Sequence, residues 1–194
     1  MHISNKINEL DRLIQKDIPH IQTVVAKHIN MRLSSEIESW GYPIVTKPFN
    51  GAKGKDVIRH DVEGSVATIF TNNEDFVLVQ PFIPNDGDYR VFVMNKKILG
   101  CMKRTPPEND FRANVSIGGR AIAYEMTQDM IDLSQKVIEA FPEDFLGIDL
   151  IRHQQTGELY VMEVNHAPQF QGFMQATGID MYDLMIKECV SLVR

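Results

Sequence analysis

Cysteine is scarce in this chain. Two occur in 194 residues, Cys101 and Cys189, with no CxxC and no Cys/His spacing. That excludes a disulfide framework and a cysteine-based zinc site, and it fits a reducing compartment. Long apolar runs are missing as well. Nothing approaches the roughly 18 residues that span a bilayer, and the opening MHISNKINELDRLIQK carries charges where a signal peptide needs an apolar core. The expected location is cytoplasmic, with no membrane partner. A basic excess is also absent: 20 Lys and Arg face 26 Asp and Glu, a net charge of −6. Nonspecific binding to nucleic acid or acidic membranes needs the opposite balance. A local basic cluster in such a protein would serve a small anionic ligand. No internal repeat, no low-complexity tract and no Ser/His/Asp or Cys/His nucleophile arrangement can be found.

What is present is an ordinary globular composition, 43% hydrophobic and 24% charged. This length makes one domain or two small lobes sharing a site. Ile7, Leu10, Leu13 and Ile14 fall at helical spacing, and Pro19 stops that helix. Ile21 to Ala26 is a β-like run. Ser34 or Ser35 can cap a short helix ending at Trp40-Gly41. Strands are expected at 44–47, 57–59, 66–70 and 76–80. Pro81 to Gly87 is the best hinge between lobes. Tyr89–Met94 and Ile98–Lys103 form a hairpin about Asn95-Lys96. Residues 104–120 show no period. A helix begun by Thr127 is expected to bury Met130, Ile131, Ser134, Val137, Ile138 and Phe141. A last loop over 166–178 leads to a C-terminal helix bearing Met181, Leu184, Met185, Cys189 and Val190.

The most informative stretch runs from Asp149 to Asn165, two apolar strands joined by a polar turn. A hairpin centred near residue 156 sets Asp149 opposite Glu163, and alternation puts Glu163 and Asn165 on one face. Two carboxylates that close repel unless a cation lies between them. An all-oxygen triplet suits Mg²⁺ better than zinc. An edge hairpin with three solvated polar residues has the same spacing. Other segments read two ways too. Asn50-Gly-Ala-Lys-Gly-Lys55 lacks the full P-loop spacing and precedes a strand. It is either a glycine turn whose Gly51 and Gly54 let the backbone close over phosphates, with Lys47 and Lys53 supplying charge, or a surface turn. Gln80-Pro-Phe-Ile83 is a structural hinge or a backbone that meets a purine edge. Arg90, Arg104 and Arg112, with Asn114, are snorkelling residues or a set that holds phosphate and a substrate carboxylate. Asp88 serves a ribose hydroxyl or pairs with an arginine.

The order of these features resembles the ATP-grasp superfamily, in particular the RimK-type branch of carboxylate–amine ligases. The stretches that carry the resemblance are Pro43–Pro48, Gln80–Ile83, Asp88-Tyr-Arg90, Asp110-Phe-Arg-Ala-Asn114, Gly118-Gly119, Gly147-Ile-Asp149, Glu163-Val-Asn165 and Ala176–Asp180. It covers nearly the whole chain from about Lys6. The resemblance implies an α+β fold of two α+β lobes, with the nucleotide bound between two antiparallel sheets. The lobes would be residues 1–79 and 80–194, with the leading helix, 5–17, packing near the C-terminal lobe. It further implies ATP and Mg²⁺, two ions, with Mn²⁺ as an alternative. Lys6 and Lys47 would meet the phosphates, and Gly51 and Gly54 would lie in the lid. Gln80, Pro81 and Phe82 would meet adenine, and Asp88 the ribose. Arg112 and Asn114 would address the terminal phosphates, Arg104 the acyl substrate, with Arg90 as a further catalytic arginine. Asp149, Glu163 and Asn165 would hold the metal, with Glu163 bridging.

The implied activity is ligation of a carboxylate to an amine through an acylphosphate, with glutamate as the expected amino acid. The substrate would be a small amino acid or a peptide. Two alternatives stand beside it: an ATP-binding module without ligation, and a ligase modifying a peptide or carrier-protein tail. The family normally carries a domain before the ATP-grasp fold, so a homo-oligomer or a separate chain is expected to complete the substrate cleft. Lys53, Lys55 and Asp56 make the lid more basic than the family pattern. Asn165-His166 resembles LysX-like ligases, where RimK-like ones more often place a small residue after Asn.

Overall fold

Period-two apolar patterns resolve into two sheets in a computed structural model, which describes residues 6–49, 56–63, 65, 76–113 and 118–192. The helices are α1 (Lys6–Gln15), α2 (Met31–Trp40), α3 (Gln128–Ala140), α4 (Gln171–Thr177) and α5 (Met181–Leu192). Strands β1 (Val24–Ala26), β2 (Ile44–Pro48), β3 (Ile58–His60) and β4 (Val77–Pro81) form an antiparallel sheet in the order β1-β4-β2-β3. Strands β5 (Asp88–Met94), β6 (Lys97–Thr105), β7 (Arg120–Tyr124), β8 (Phe145–Arg152) and β9 (Leu159–Asn165) form a second, in the order β7-β6-β5-β8-β9. The fold is α+β, with two antiparallel sheets as expected. The strand expected at 66–70 lies outside the described residues.

α2 covers the first sheet, where Leu33 and Ile37 pack with Val24, Ile44, Val77 and Val79. Its cap is Asn30, not Ser34 or Ser35: the Leu33 N–H donates to Asn30 Oδ1 at 2.9 Å. Asn30 is free of the helical φ/ψ that a residue inside the first turn must adopt. Gly41, at φ +71, ends the helix.

The second sheet is buried on both faces, and strand parity sorts its residues. Tyr89, Val91, Val93, Leu146, Ile148 and Leu150 face α3 and its Met130, Leu133, Val137, Ile138 and Phe141. Ile131, expected inside, is exposed, and Leu133 fills the core position instead. On the other face Phe92, Met94 and Met102 meet Phe173 of α4 and Met181 of α5. α4 lies inside the segment expected to be loop. β7 was not expected either; its residues are half-buried or exposed, so no alternation marks it. Asn95 and Lys96, at φ +48 and +61, turn β5 into β6 as a two-residue hairpin. Lys96 also donates its ammonium to the Phe141 carbonyl at the end of α3.

α1 precedes the first sheet but packs on the second: Leu13 and Ile18 are buried in the α3-facing core. The chain then runs along β9, where the Val161 N–H donates to Pro19 and the Ile21 N–H to Val161. This route brings the start of α1 to the gap between the sheets.

Candidate active site

That gap is a cleft of about 180 Å³. One wall comes from the first sheet and the segment after it, with Lys47, Gln80, Pro81 and Phe82. The other comes from the second sheet, with Asp88, Asp149 and Glu163, and Lys6 and Arg112 also line it. Arg90, Arg104 and Asn165 do not border it. Gly51, Gly54 and Asn114 lie outside the described residues.

The floor follows from register. Arg90 on β5, Asp149 on β8 and Glu163 on β9 are direct cross-strand neighbours. Asp88 and Arg104 are neighbours in the adjoining row. On the turn side of the last hairpin Leu150 faces Val161; a bulge between Asp149 and Leu150 then sets Asp149 opposite Glu163. Arg90 closes on Asp149 with a two-toothed fork, Nε to Oδ1 and Nη2 to Oδ2, both at 2.6 Å. Arg104 donates Nε to Asp88 Oδ1 at 2.5 Å and sets Nη2 3.1 Å from Asp149 Oδ2. Both sites are enclosed: Asp149 is 2% exposed and Arg104 3%. Burial alone would push the Asp149 carboxyl up, but Arg104 and Arg90 hold it below the ordinary range. Burial likewise disfavours charge on Arg104, and Asp149 and Asp88 outweigh it. The guanidinium expected on the acyl substrate lies inside the sheet, because register sets it beside Asp88.

Glu163 differs from Asp149. It is half-buried where Asp149 is enclosed; both line the cleft, and Lys47 feels the charge of both. Asn165 sits opposite Gly147 and brings Nδ2 to 3.4 Å from Asp149 Oδ2, leaving its Oδ1 as a donor oxygen. A Cβ on Gly147 would come 2.6 Å from Pro168 Cβ, so glycine lets the segment after β9 fold back beside Asn165. The donor set is all oxygen and fits a hard divalent cation. No group of three His, Cys, Asp or Glu able to hold a metal occurs among the described residues. A cation on this wall would thus draw its remaining oxygens from a ligand.

Cationic groups face that floor. Lys47 is held below the usual lysine range, first by burial and then by Lys6; Glu163, Asp149 and Asp88 act against this. Lys6 Nζ donates to the Pro48 carbonyl at 3.3 Å. Arg112 is braced by Asp110, whose carboxylate takes its backbone N–H, Nε and Nη2. At the other end of the cleft, the Arg59 guanidinium stacks 4.2 Å over the Phe82 ring. Phe111 meets Phe82 edge-on at 6.2 Å. The Phe82 N–H is taken by the Pro43 carbonyl, and Gln80 donates to Thr23 Oγ1.

Glu9 and Phe111, to which the sequence assigned no role, also line the cleft. Glu9 lies three residues after Lys6, on the same helix face, which is the signal that was available. It is buried, with His166 Nε2 3.3 Å away. Phe111 stands between Asp110 and Arg112 in a polar loop, where an aromatic ring needs a partner.

Comparison with known proteins agrees with this geometry. A family profile described as "RimK-like ATP-grasp domain" matches residues 3–189. The "Glutamate--LysW ligase ArgX" of Sulfurisphaera tokodaii is 30% identical over 193 residues, covering 94% of this chain and 67% of that protein. A "Probable alpha-L-glutamate ligase" of Picosynechococcus sp. is 31% identical over 189 residues, 94% of this chain and 62% of that one. Among solved structures, the ATP-grasp ligase PsnB with its minimal precursor superposes with a TM-score of 0.77 at 17% identity, over 97% of this chain and 60% of that one. A D-alanine--D-alanine ligase from Bacillus anthracis complexed with ATP gives 0.71 at 16%, over 98% and 67%. At such identities the superpositions speak for the fold. The chain spans roughly three fifths to two thirds of the length of these proteins. Profile, relatives and fold agree, and the chain belongs to the RimK-like ATP-grasp family.

Proposed function

We propose that this chain carries the nucleotide and metal site of an ATP-dependent carboxylate–amine ligase that joins glutamate to an acceptor. The observation that carries the reading is the cleft itself. Lys6, Lys47 and Arg112 face it together with a carboxylate wall formed by Asp149 and Glu163. That pairing suits a polyphosphate with a divalent cation. Glutamate is the amino acid for which the relatives are named, and the acceptor is a small molecule or a carrier or peptide tail.

In this reading the base lies toward Gln80, Pro81 and Phe82, and the phosphates lie between Lys6, Lys47 and Arg112. Asn114, Gly51 and Gly54 add to the phosphate end. Asp149, Glu163 and Asn165 would hold Mg²⁺, which when bound neutralises phosphate charge and steadies the transferring group. The γ-phosphoryl passes to the substrate carboxylate, and the amine then displaces phosphate from the acylphosphate. Arg112, already braced by Asp110, is placed to meet the developing charge. Arg104 and Asp88 act indirectly, by fixing Asp149. No protein nucleophile is needed. A cytoplasmic location goes with the use of ATP. Among the described residues no helix is long and apolar enough to cross a membrane.

ADP release in the presence of Mg²⁺, glutamate and a panel of acceptors tests the reading. Glu163→Gln should lower turnover by about 10²-fold or more, the usual scale for losing an electrostatic group, with an unchanged melting temperature. Full activity in that variant would remove Glu163 from the site. A second reading, nucleotide binding without ligation, is favoured by the closure of Arg90 on Asp149. Calorimetric ATP binding with no ADP release from any acceptor would select it.

A further inference from the structure

Asp149 is held by two guanidiniums, and the two are not equivalent. Arg104 is shared: it bonds Asp88 on one side and meets Asp149 on the other, with its side chain 4% exposed. Removing it would strand two buried carboxylates. Arg90 has Asp149 as its ion-pair partner and a side chain 13% exposed. Its fork lies along both carboxylate oxygens at 2.6 Å. Asp88, Asp149, Arg90 and Arg104 together sum to zero charge, and Glu163 beside Asp149 takes the row to −1. A divalent cation on Asp149 would add two positive charges beside two guanidiniums, in an enclosed site where repulsion is weakly screened. One guanidinium must then yield, and the arginine with fewer partners and more exposure is Arg90.

We propose that Arg90 is an exchangeable counter-ion of Asp149, which the carboxylate trades for a divalent cation, while Arg104 is the fixed one. This rests on the reading of Asp149 as a metal ligand. Arg90 is then a positioning residue: its fork holds both oxygens of the buried carboxylate and competes with the cation for them. Register supports the assignment, since the Arg90–Asp149–Glu163 row puts the competing fork on the side of Asp149 away from Glu163.

The test is Mn²⁺ binding to the whole chain, with and without ADP, followed by electron paramagnetic resonance. Arg90→Met should bind Mn²⁺ at least tenfold more tightly than the wild type, and Arg90→Lys, which keeps charge but loses the fork, a few-fold more tightly. Equal or weaker binding in Arg90→Met, or no Mn²⁺ binding by either protein, would overturn the proposal. A second measurement uses the wild type alone, in case the variants fold poorly. The Arg90 Nε–H resonance, identified by its loss in Arg90→Lys, should shift when Mg²⁺·ADP is added. An unmoved resonance with bound ADP would mean the fork stays in place and the exchange does not occur. Tighter Mn²⁺ binding in Arg90→Met with no ADP binding by any form would sink the nucleotide reading and leave this one standing.

Discussion

Lys47 shows how one side chain can be read from two directions. Its place at the end of β2 was legible in the sequence as a lysine closing an apolar strand. Its lowered proton affinity was not, because that depends on burial and on Lys6, which arrives on a helix packed against the second sheet. An anion set between these ammonium groups would raise the affinity again. ADP binding should therefore take up protons just below the ordinary lysine range of about 10.4. Calorimetry in two buffers of different ionisation enthalpy should report that uptake for the wild type and not for Lys47→Met. The arginines were legible as a group but not in their separate places: Arg112 lines the cleft, while Arg90 and Arg104 pair with carboxylates inside the second sheet. Spacing cannot say that Arg104 stands opposite Asp88, since that pairing needs the β5–β6 register.

At the scale of elements, the hairpin of β8 and β9 was the easiest to foresee, because short apolar strands with a polar turn fix both pairing and face. α4 and β7 were hidden for opposite reasons. α4 is seven residues long, too short for a helical period to stand out. β7 is an edge strand with no buried side to alternate against. The pairing of β2 with β3 carries a titratable contact: His60 is buried, and its Nε2 lies 3.0 Å from Thr46 Oγ1. Burial lowers the imidazole's proton affinity. A group so shifted stabilises the fold fully above its unfolded value of about 6.5, and that stability is lost as pH falls toward the folded value. The chain should thus lose stability below about pH 6.5. Thermal melts of wild type and His60→Gln across that range should show the variant with a flatter acid slope.

For the molecule as a whole, two sheets share one cleft, but the chain does not divide between them in sequence order. α1 opens the chain at the cleft with Lys6 and anchors in the second core through Leu13, 4% exposed. Leu13→Ala should cost about 2–5 kcal/mol in denaturant unfolding. If α1 holds Lys6 in place, nucleotide affinity should fall with it; stability lost at constant affinity would uncouple the helix from the cleft. Such long-range docking was not legible from composition or period. The bulge in the last hairpin has a consequence of another kind. Strand β9 holds one residue more than β8 needs, so its genetic tolerance is uneven. Loss of the codon for Met162 would straighten the strand and still leave Glu163 across from Asp149. Loss of the codon for Val164 would turn Asn165 to the α3 face, and the site would lose that oxygen without any of its residues being replaced.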